Sequence, residues 1–110
     1  MALPHAHPLD VVDVRPLGSA LRSAVSTSLL KSDSVQLMRL VLMAGHGLPE
    51  HAVAGAVTIQ CLEGEVVVAT PSRHCKLNAG ELVVLDGSER HDIQAVSDSS
   101  LLVTIVFERD

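Results

Sequence analysis

From residue 27 to residue 107 the sequence is a series of short aliphatic runs separated by turn residues, and this pattern limits the fold more than any other feature. The runs are rich in Val, Leu and Ile, and Gly, Asp, Ser or Asn stands between them. β-branched residues in short runs favour strands, and turns at regular spacing are typical of sandwiches and barrels. Since no long amphipathic helix pattern competes, the sequence predicts an all-β protein.

Eight strands are predicted from these runs, with an irregular segment before them. A short helical turn is expected at residues 19–23, and residues 45–49 are expected to form a loop. We expect a single domain in which residues 1–34 form an N-terminal arm and the first strands, packed on a barrel formed by residues 35–110. The predicted strands cover residues 26–31, 35–43, 56–62, 65–70, 74–77, 81–85, 91–96 and 101–107.

The second predicted strand, residues 35–43, is apolar on both faces. Only Gln36 and Arg39 interrupt its run of aliphatic and methionine side chains. A strand with two apolar faces is covered on both sides, either within the protein or at a subunit interface. We therefore expect a homodimer.

Charge and cysteine content exclude several classes of protein. The net charge is −5 at pH 7, whereas nucleic-acid binding needs a basic face, so no nucleic-acid partner is expected. The apolar runs are too short to span a bilayer, and the N-terminus lacks the basic and hydrophobic regions of a secretory signal. The two cysteines form no CxxC pair. The sequence predicts a cytoplasmic protein with reduced thiols, no membrane partner and a small-molecule ligand.

Two segments resemble the motifs of the cupin superfamily, a group of small β-barrels. The second segment fits well, because His91 follows Gly80 by eleven positions, as the family pattern requires. Asp86 stands where proline is usual and Ser88 where glycine is usual, and Gly87 beside it could serve the same turn.

The first segment is degenerate. It ends in the usual Leu62-Glu63-Gly64, but its His-x-His is reduced to His51, with Pro49 two residues earlier, and its glutamate position falls on Val57. The resemblance covers residues 35–107. It implies a cupin-type double-stranded β-helix, or RmlC-like jelly-roll barrel, with a short irregular or weakly helical N-terminal segment.

In the fold that this resemblance implies, the two motif strands lie side by side and project His51 and His91 into the barrel mouth. Neutral imidazoles there could bind a divalent transition metal such as iron, manganese, nickel, copper or zinc. Since two ligands are too few, His46, in a glycine-flanked loop, is the candidate third. Glu50 would face away on a regular strand, and would complete a two-histidine, one-carboxylate set only in an irregular loop.

A metal-free site is the alternative, in which the histidines hold water or an organic acid. The candidate pocket residues are Glu50, Val57, Gln60 and Arg39. The guanidinium of Arg39 suits a substrate carboxylate, although an edge or interface position explains Arg39 and Gln60 equally well. Imidazole rings bonded to backbone carbonyls would count against a metal.

Two functions follow from these alternatives. The first is a metal-dependent small-molecule enzyme of the oxygenase, isomerase or lyase type. The second is a metal-free module that binds or senses a small apolar or carboxylated ligand. Loss of the motif glutamate favours the second function, and retention of both motif histidines favours the first.

Overall fold

The computed structural model describes residues 6–7 and 9–108, and these residues form one 3₁₀ helix, Gly18–Ser23, and nine strands. The predicted helical turn and all-β architecture are confirmed. The strands, β1 to β9 in chain order, are Thr27–Lys31, Val35–Leu42, Gly47–His51, Gly55–Glu63, Glu65–Ala69, His74–Asn78, Leu82–Leu85, His91–Ala95 and Ser99–Phe107.

The strands form two antiparallel sheets that pack face to face. The five-stranded sheet has the order β1-β2-β9-β4-β7, and the four-stranded sheet has the order β3-β8-β5-β6. Most pairs of strands that are consecutive in the chain lie in different sheets, as in a jelly roll. The two motif segments therefore come together only through the tertiary fold.

The core between the sheets is aliphatic. Ile59 and Leu101 from the five-stranded sheet and Val66 and Ile93 from the four-stranded sheet are among the most deeply buried side chains. Along each of these strands the buried aliphatic side chains occupy every second position, because successive side chains of a strand point to opposite faces. Burying each such side chain stabilises the fold by about 1.5–3 kcal/mol, so this core needs no aromatic residue.

Strand β3 lies where the sequence predicted a loop. Its residue Pro49 has no N–H to donate, and this weakens a strand prediction. However, β3 is an edge strand that pairs only with β8, and Pro49 lies in the irregular part of this pairing, where no residue of β8 is its partner. A Cβ at Gly47 would lie 2.1 Å from the Ile93 carbonyl oxygen. This glycine therefore allows the close approach of β3 to β8.

Two charged side chains attach the segment before the helix to the five-stranded sheet. Arg39 on β2 donates from Nη2 to the carbonyl oxygen of Arg15 at 3.0 Å. Glu63 at the end of β4 accepts from the backbone N–H groups of Leu17 and Gly18 at 2.8 and 3.0 Å. Both side chains bond the backbone of the arm, so the arm is held largely independently of its side chains.

The pKa of Glu63 reflects this attachment. Burial alone would raise the pKa of its carboxyl, but hydrogen bonds from Ser100, Leu17 and Gly18, together with the charge of Arg39, hold the pKa below its ordinary value of 4.5. The ionised form of Glu63 is therefore the form that stabilises the fold. Residues 1–5 and 8 of the predicted arm lie outside the described residues, and the division of the chain at residue 34 stays a prediction.

Candidate functional site

His51 and His91 are direct cross-strand partners at the end of the β3–β8 pair. Their ring centroids lie 4.4 Å apart, and the ring planes are tilted by 55°. His91 is buried, whereas His51 is exposed at the edge of the sheet. Two imidazoles are thus in contact at one point of the barrel, one inside it and one at its surface.

Each histidine ring makes the same local hydrogen bond. Nδ1 of His51 lies 3.0 Å from the carbonyl oxygen of Pro49, and Nδ1 of His91 lies 3.1 Å from that of Glu89. A carbonyl oxygen can only accept, so Nδ1 must carry the proton in both rings. The Nε2 atoms have no hydrogen-bond partner in the described part of the chain. When neutral, both rings therefore present a free Nε2 lone pair.

The two rings border a cavity of about 230 Å³ between the sheets. Apart from the histidines, every residue around it has an aliphatic or thioether side chain. The lining residues are Met38, Leu40, Leu48, His51, Val53, Val57, Ile59, His91, Ile93, Val103 and Ile105. The cavity thus combines an apolar body with one polar position, which is the usual composition of a small-ligand pocket.

An irregularity in β3 brings His51 to this cavity. The pairing of β3 with β8 shifts between Leu48 and His51, so these two residues both line the cavity although they are three positions apart. In a regular strand, residues an odd number of positions apart point to opposite faces. Glu50 instead makes an exposed ion pair with Arg90, at 3.7 Å between Oε1 and Nη1. The same two strand ends carry an imidazole pair at the cavity and an ion pair beside it.

The other predicted site residues lie in different places. Val57 lines the cavity. His46 is exposed just before β3, at the opposite end from His51. Gln60 and Arg39 alternate with cavity-facing residues of their strands; Gln60 donates to the Gly80 carbonyl oxygen at 3.4 Å, and Arg39 bonds the N-terminal segment. The structure therefore brings together His51, His91 and Val57, but not His46, Glu50, Gln60 or Arg39.

The donor atoms at this site match part of a metal site. The two free Nε2 atoms are suitable ligands, and a bond from Nδ1 to a carbonyl is common in ligating histidines. These carbonyl bonds consequently do not count against a metal, contrary to the sequence-based expectation. However, no group of three or more His, Cys, Asp or Glu residues suited to a metal occurs in residues 6–7 and 9–108. The protein supplies two ligands where three are usual.

The turn before His91 keeps the backbone shape that the motif resemblance implies. Ser88 stands where glycine is usual and has a φ of +65°, in the region that glycine favours. Gly87 lies in the same turn, but the positive φ of the turn belongs to Ser88 and not to Gly87. The Ser88 N–H donates to the Val53 carbonyl oxygen at 2.9 Å, which holds the conformation in place.

Sequence reasoning missed most of the apolar cavity wall. Met38 and Leu40 on β2, and Val103 and Ile105 on β9, line the cavity from the five-stranded sheet. Their alternation within each strand was a usable signal, because residues two apart share a face. It predicts which residues share a face, but not which part of that face borders an open space.

Structural comparison places the chain among solved cupin proteins. No family model matches the sequence, and no curated protein matches it. A cupin superfamily protein from Desulfitobacterium hafniense superposes with a TM-score of 0.78 at 20% identity, over 94% of this chain and 100% of that one. An RmlC-like cupin protein from Desulfovibrio desulfuricans gives 0.73 at 26% identity, over 87% and 97%.

A conserved protein of unknown function from Streptococcus pyogenes is similar over the whole of this chain. Its TM-score is 0.77 at 16% identity, and the match covers 97% of that protein. Matches of this extent leave no large part of either chain outside the shared fold.

Proposed function

This chain has the RmlC-like cupin fold, and we propose that it is a binding module for a small aliphatic carboxylic acid. One observation carries the proposal: among the described residues that line this cavity, only His51 and His91 have side-chain nitrogen or oxygen atoms, and the Nε2 atom of each ring is left without a hydrogen-bond partner. The site thus offers one polar position and an apolar enclosure beside it. A short hydrocarbon chain with a single carboxyl group has the matching chemistry.

The tautomer of the two rings decides how the acid is held. Each Nδ1–H is used by a backbone carbonyl, so a neutral ring can only accept at Nε2. A carboxyl group fits because one proton can be shared between its oxygen and Nε2, as an acid–imidazole or a carboxylate–imidazolium pair. A charge-assisted hydrogen bond of this kind is stronger than a neutral one.

The cavity also limits the size of the ligand. Its volume of about 230 Å³ is smaller than the roughly 300–1,000 Å³ typical of pockets for drug-sized ligands. Branched or straight short-chain acids are therefore better candidates than sugars or cofactors. The aliphatic wall offers no hydrogen-bonding groups to a second polar substituent, which also disfavours polyhydroxylated ligands.

A metal-dependent enzyme is the second candidate, because both rings share the tautomer that leaves Nε2 free. His51 and His91 would hold the ion, and water or an oxygen atom of the substrate would occupy its other positions. A bound iron, manganese, nickel, copper or zinc ion would supply Lewis acidity or oxygen activation for an oxygenase, isomerase or lyase reaction. The missing third protein ligand makes this the weaker candidate.

One experiment separates the two candidates. Untagged protein is titrated with isovalerate and hexanoate by calorimetry, and its metal content is measured by elemental analysis. We expect acid binding that is lost in the His51→Ala/His91→Ala double variant and kept in the matched control His46→Ala/His74→Ala, whose residues lie outside the cavity. Binding unaffected by the first variant, or no binding of either acid, contradicts the module. Near-stoichiometric metal in the wild type that is absent from the His51→Ala/His91→Ala variant supports the metal-dependent enzyme.

We also propose a cytoplasmic homodimer. The support for the dimer is an apolar outer surface on the five-stranded sheet, where Leu82, Val84 and Val106 are all more than half exposed. The support for a reducing compartment is that Cys61 and Cys75 are both free thiols. No helix in the described residues is long and apolar enough to cross a membrane.

A further inference from the structure

A second cavity, of about 220 Å³, is lined by residues of both sheets. It lies between β6 and β7, the edge strands of the four-stranded and five-stranded sheets, which do not pair with each other. None of its lining residues is shared with the histidine cavity. The second cavity is therefore a separate feature of the fold.

The deep part of the second cavity is aliphatic. Val68 from β5 and Leu85 from β7 are buried core residues, and Val83 packs against the same core. These side chains come from both sheets, so the cavity has an apolar floor with walls on two sides. A short hydrocarbon group would gain roughly 25 cal/mol for each Å² of apolar area that it buries there.

Two opposite charges stand at the rim. Arg73 belongs to the turn between β5 and β6, and Glu89 to the loop between β7 and β8. Neither side chain has an ion pair or hydrogen-bond partner in the described part of the chain. Arg73 and Glu89 thus line the same cavity from different loops and are not paired with each other, so both charges are available to a ligand that carries a carboxylate and an ammonium group.

We propose that this second cavity binds an aliphatic amino acid as its zwitterion. The carboxylate of the amino acid lies against the Arg73 guanidinium, whose planar fork suits a carboxylate. The ammonium group lies against the Glu89 carboxylate, and the aliphatic side chain contacts Val68, Val83 and Leu85. The proposal is independent of the histidine cavity and its acid ligand.

Cys75 provides a local reporter of occupancy. Cys75 lines the second cavity and is partly exposed, whereas Cys61 is fully buried in the core. Burial also raises the pKa of the Cys61 thiol, and the thiolate is the form that reacts with alkylating reagents. The rate of alkylation by iodoacetamide, followed by intact mass, therefore reports on Cys75. A Cys75→Ser variant verifies the labelled site.

The experiment measures this rate with L-leucine, L-isoleucine and L-valine, and with two analogues of leucine. The analogues are 4-methylpentanoate, which lacks the amino group, and 3-methylbutylamine, which lacks the carboxylate. We expect saturable protection by at least one amino acid, and affinities for the analogues that are lower by about tenfold or more, since each loses a charge-assisted contact. Protection in His51→Ala should equal that of the wild type, because His51 bonds Pro49 and not Glu89.

Charge-removing variants complete the test. Arg73→Gln and Glu89→Gln should each weaken protection by about tenfold, while the matched controls Arg22→Gln and Asp33→Asn, far from the cavity in the sequence and on other elements, should leave it unchanged. NMR methyl signals of Val83 and Leu85 give the same titration without the thiol. No protection and no methyl shifts with any of the three amino acids would overturn the proposal, as would an affinity for either analogue equal to that for L-leucine.

Discussion

His51 and His91 face each other across the β3–β8 pair and make the same hydrogen bond, from Nδ1 to the carbonyl oxygen two residues earlier. Because both Nδ1 atoms are bonded to carbonyl oxygens, each neutral ring keeps its lone pair on Nε2, and both residues line the same cavity. The proton balance of ligand binding depends on these lone pairs.

Binding of a carboxylic acid should take up a proton. At neutral pH the free acid is ionised, whereas the bound pair shares a proton between oxygen and Nε2, so one proton comes from the solvent. Affinity should therefore fall as the pH is raised. Calorimetry at pH 7 in two buffers with different ionisation enthalpies measures the uptake directly. The His74→Ala control should show the same uptake, and equal binding enthalpies in the two buffers would contradict the shared proton.

Val57→Phe should abolish acid binding without unfolding the protein. Val57 is buried and lines the histidine cavity, so the larger side chain can fill existing space. Val66→Phe is the control, because Val66 is fully buried in the core and lies outside the cavity lining; overpacking there should cost about 1–3 kcal/mol. Thermal unfolding and calorimetry measure both effects. Full acid affinity in Val57→Phe would place the ligand elsewhere.

Glu63→Gln should lower the free energy of unfolding by about 1–3 kcal/mol near neutral pH, since it removes the charge that accepts three hydrogen bonds. The folded-state pKa of Glu63 is lowered, so its contribution is complete above the ordinary value of 4.5 and is lost as the pH falls below it. The difference between wild type and variant should therefore shrink in acid.

Urea unfolding at a series of pH values tests the role of Glu63. Glu65→Gln is a suitable control, because Glu65 makes a partly exposed ion pair with Lys76 at 3.8 Å, worth under about 1 kcal/mol. If the difference in free energy of unfolding between wild type and Glu63→Gln stays constant from neutral to acid pH, the carboxylate charge is not what stabilises the fold.

Ser88→Gly should stabilise the protein by about 0.5–1 kcal/mol. Ser88 has a φ of +65°, a conformation that costs roughly 1–2 kcal/mol in a residue with a Cβ, and the higher chain entropy of unfolded glycine offsets part of the gain. Ser97→Gly, at a residue outside the positive-φ set, should be neutral or destabilising. A lower melting temperature for Ser88→Gly than for the wild type would contradict this reasoning.

Gly64→Ala should destabilise the fold more than Gly80→Ala. Both glycines have a positive φ, +85° and +90°. A Cβ at Gly64 would lie 2.2 Å from Ser99 Oγ and 2.3 Å from the Asp98 carbonyl oxygen, whereas a Cβ at Gly80 meets nothing within 4 Å. Gly80→Ala should cost about 1–2 kcal/mol, and Gly64→Ala should cost this plus the displacement of the β9 backbone. Equal losses in urea unfolding would rule out the steric contribution.

The local sequence pattern was enough to predict most strands, because each strand of these antiparallel sheets corresponds to a short aliphatic run between turn residues. The strand β3 was missed because Gly47 and Pro49 are poor strand formers, and only the position of β3 at a sheet edge makes them acceptable. Because Ser88 stands where glycine is usual, the neighbouring Gly87 was expected to serve this turn. In the fold, Ser88 itself takes the strained conformation, held by its bond to Val53.

The sequence by itself determined the all-β cupin fold and the two histidines to examine, because strand period, turn residues and motif spacing are local properties. The tertiary structure decided that His51 and His91 touch, that a shift in β3 turns His51 toward an aliphatic cavity, and that Arg39 bonds the arm instead of a ligand. These outcomes depend on strand register and on contacts between distant segments. Because one residue of slip reverses every side chain of a strand, no local pattern contains them.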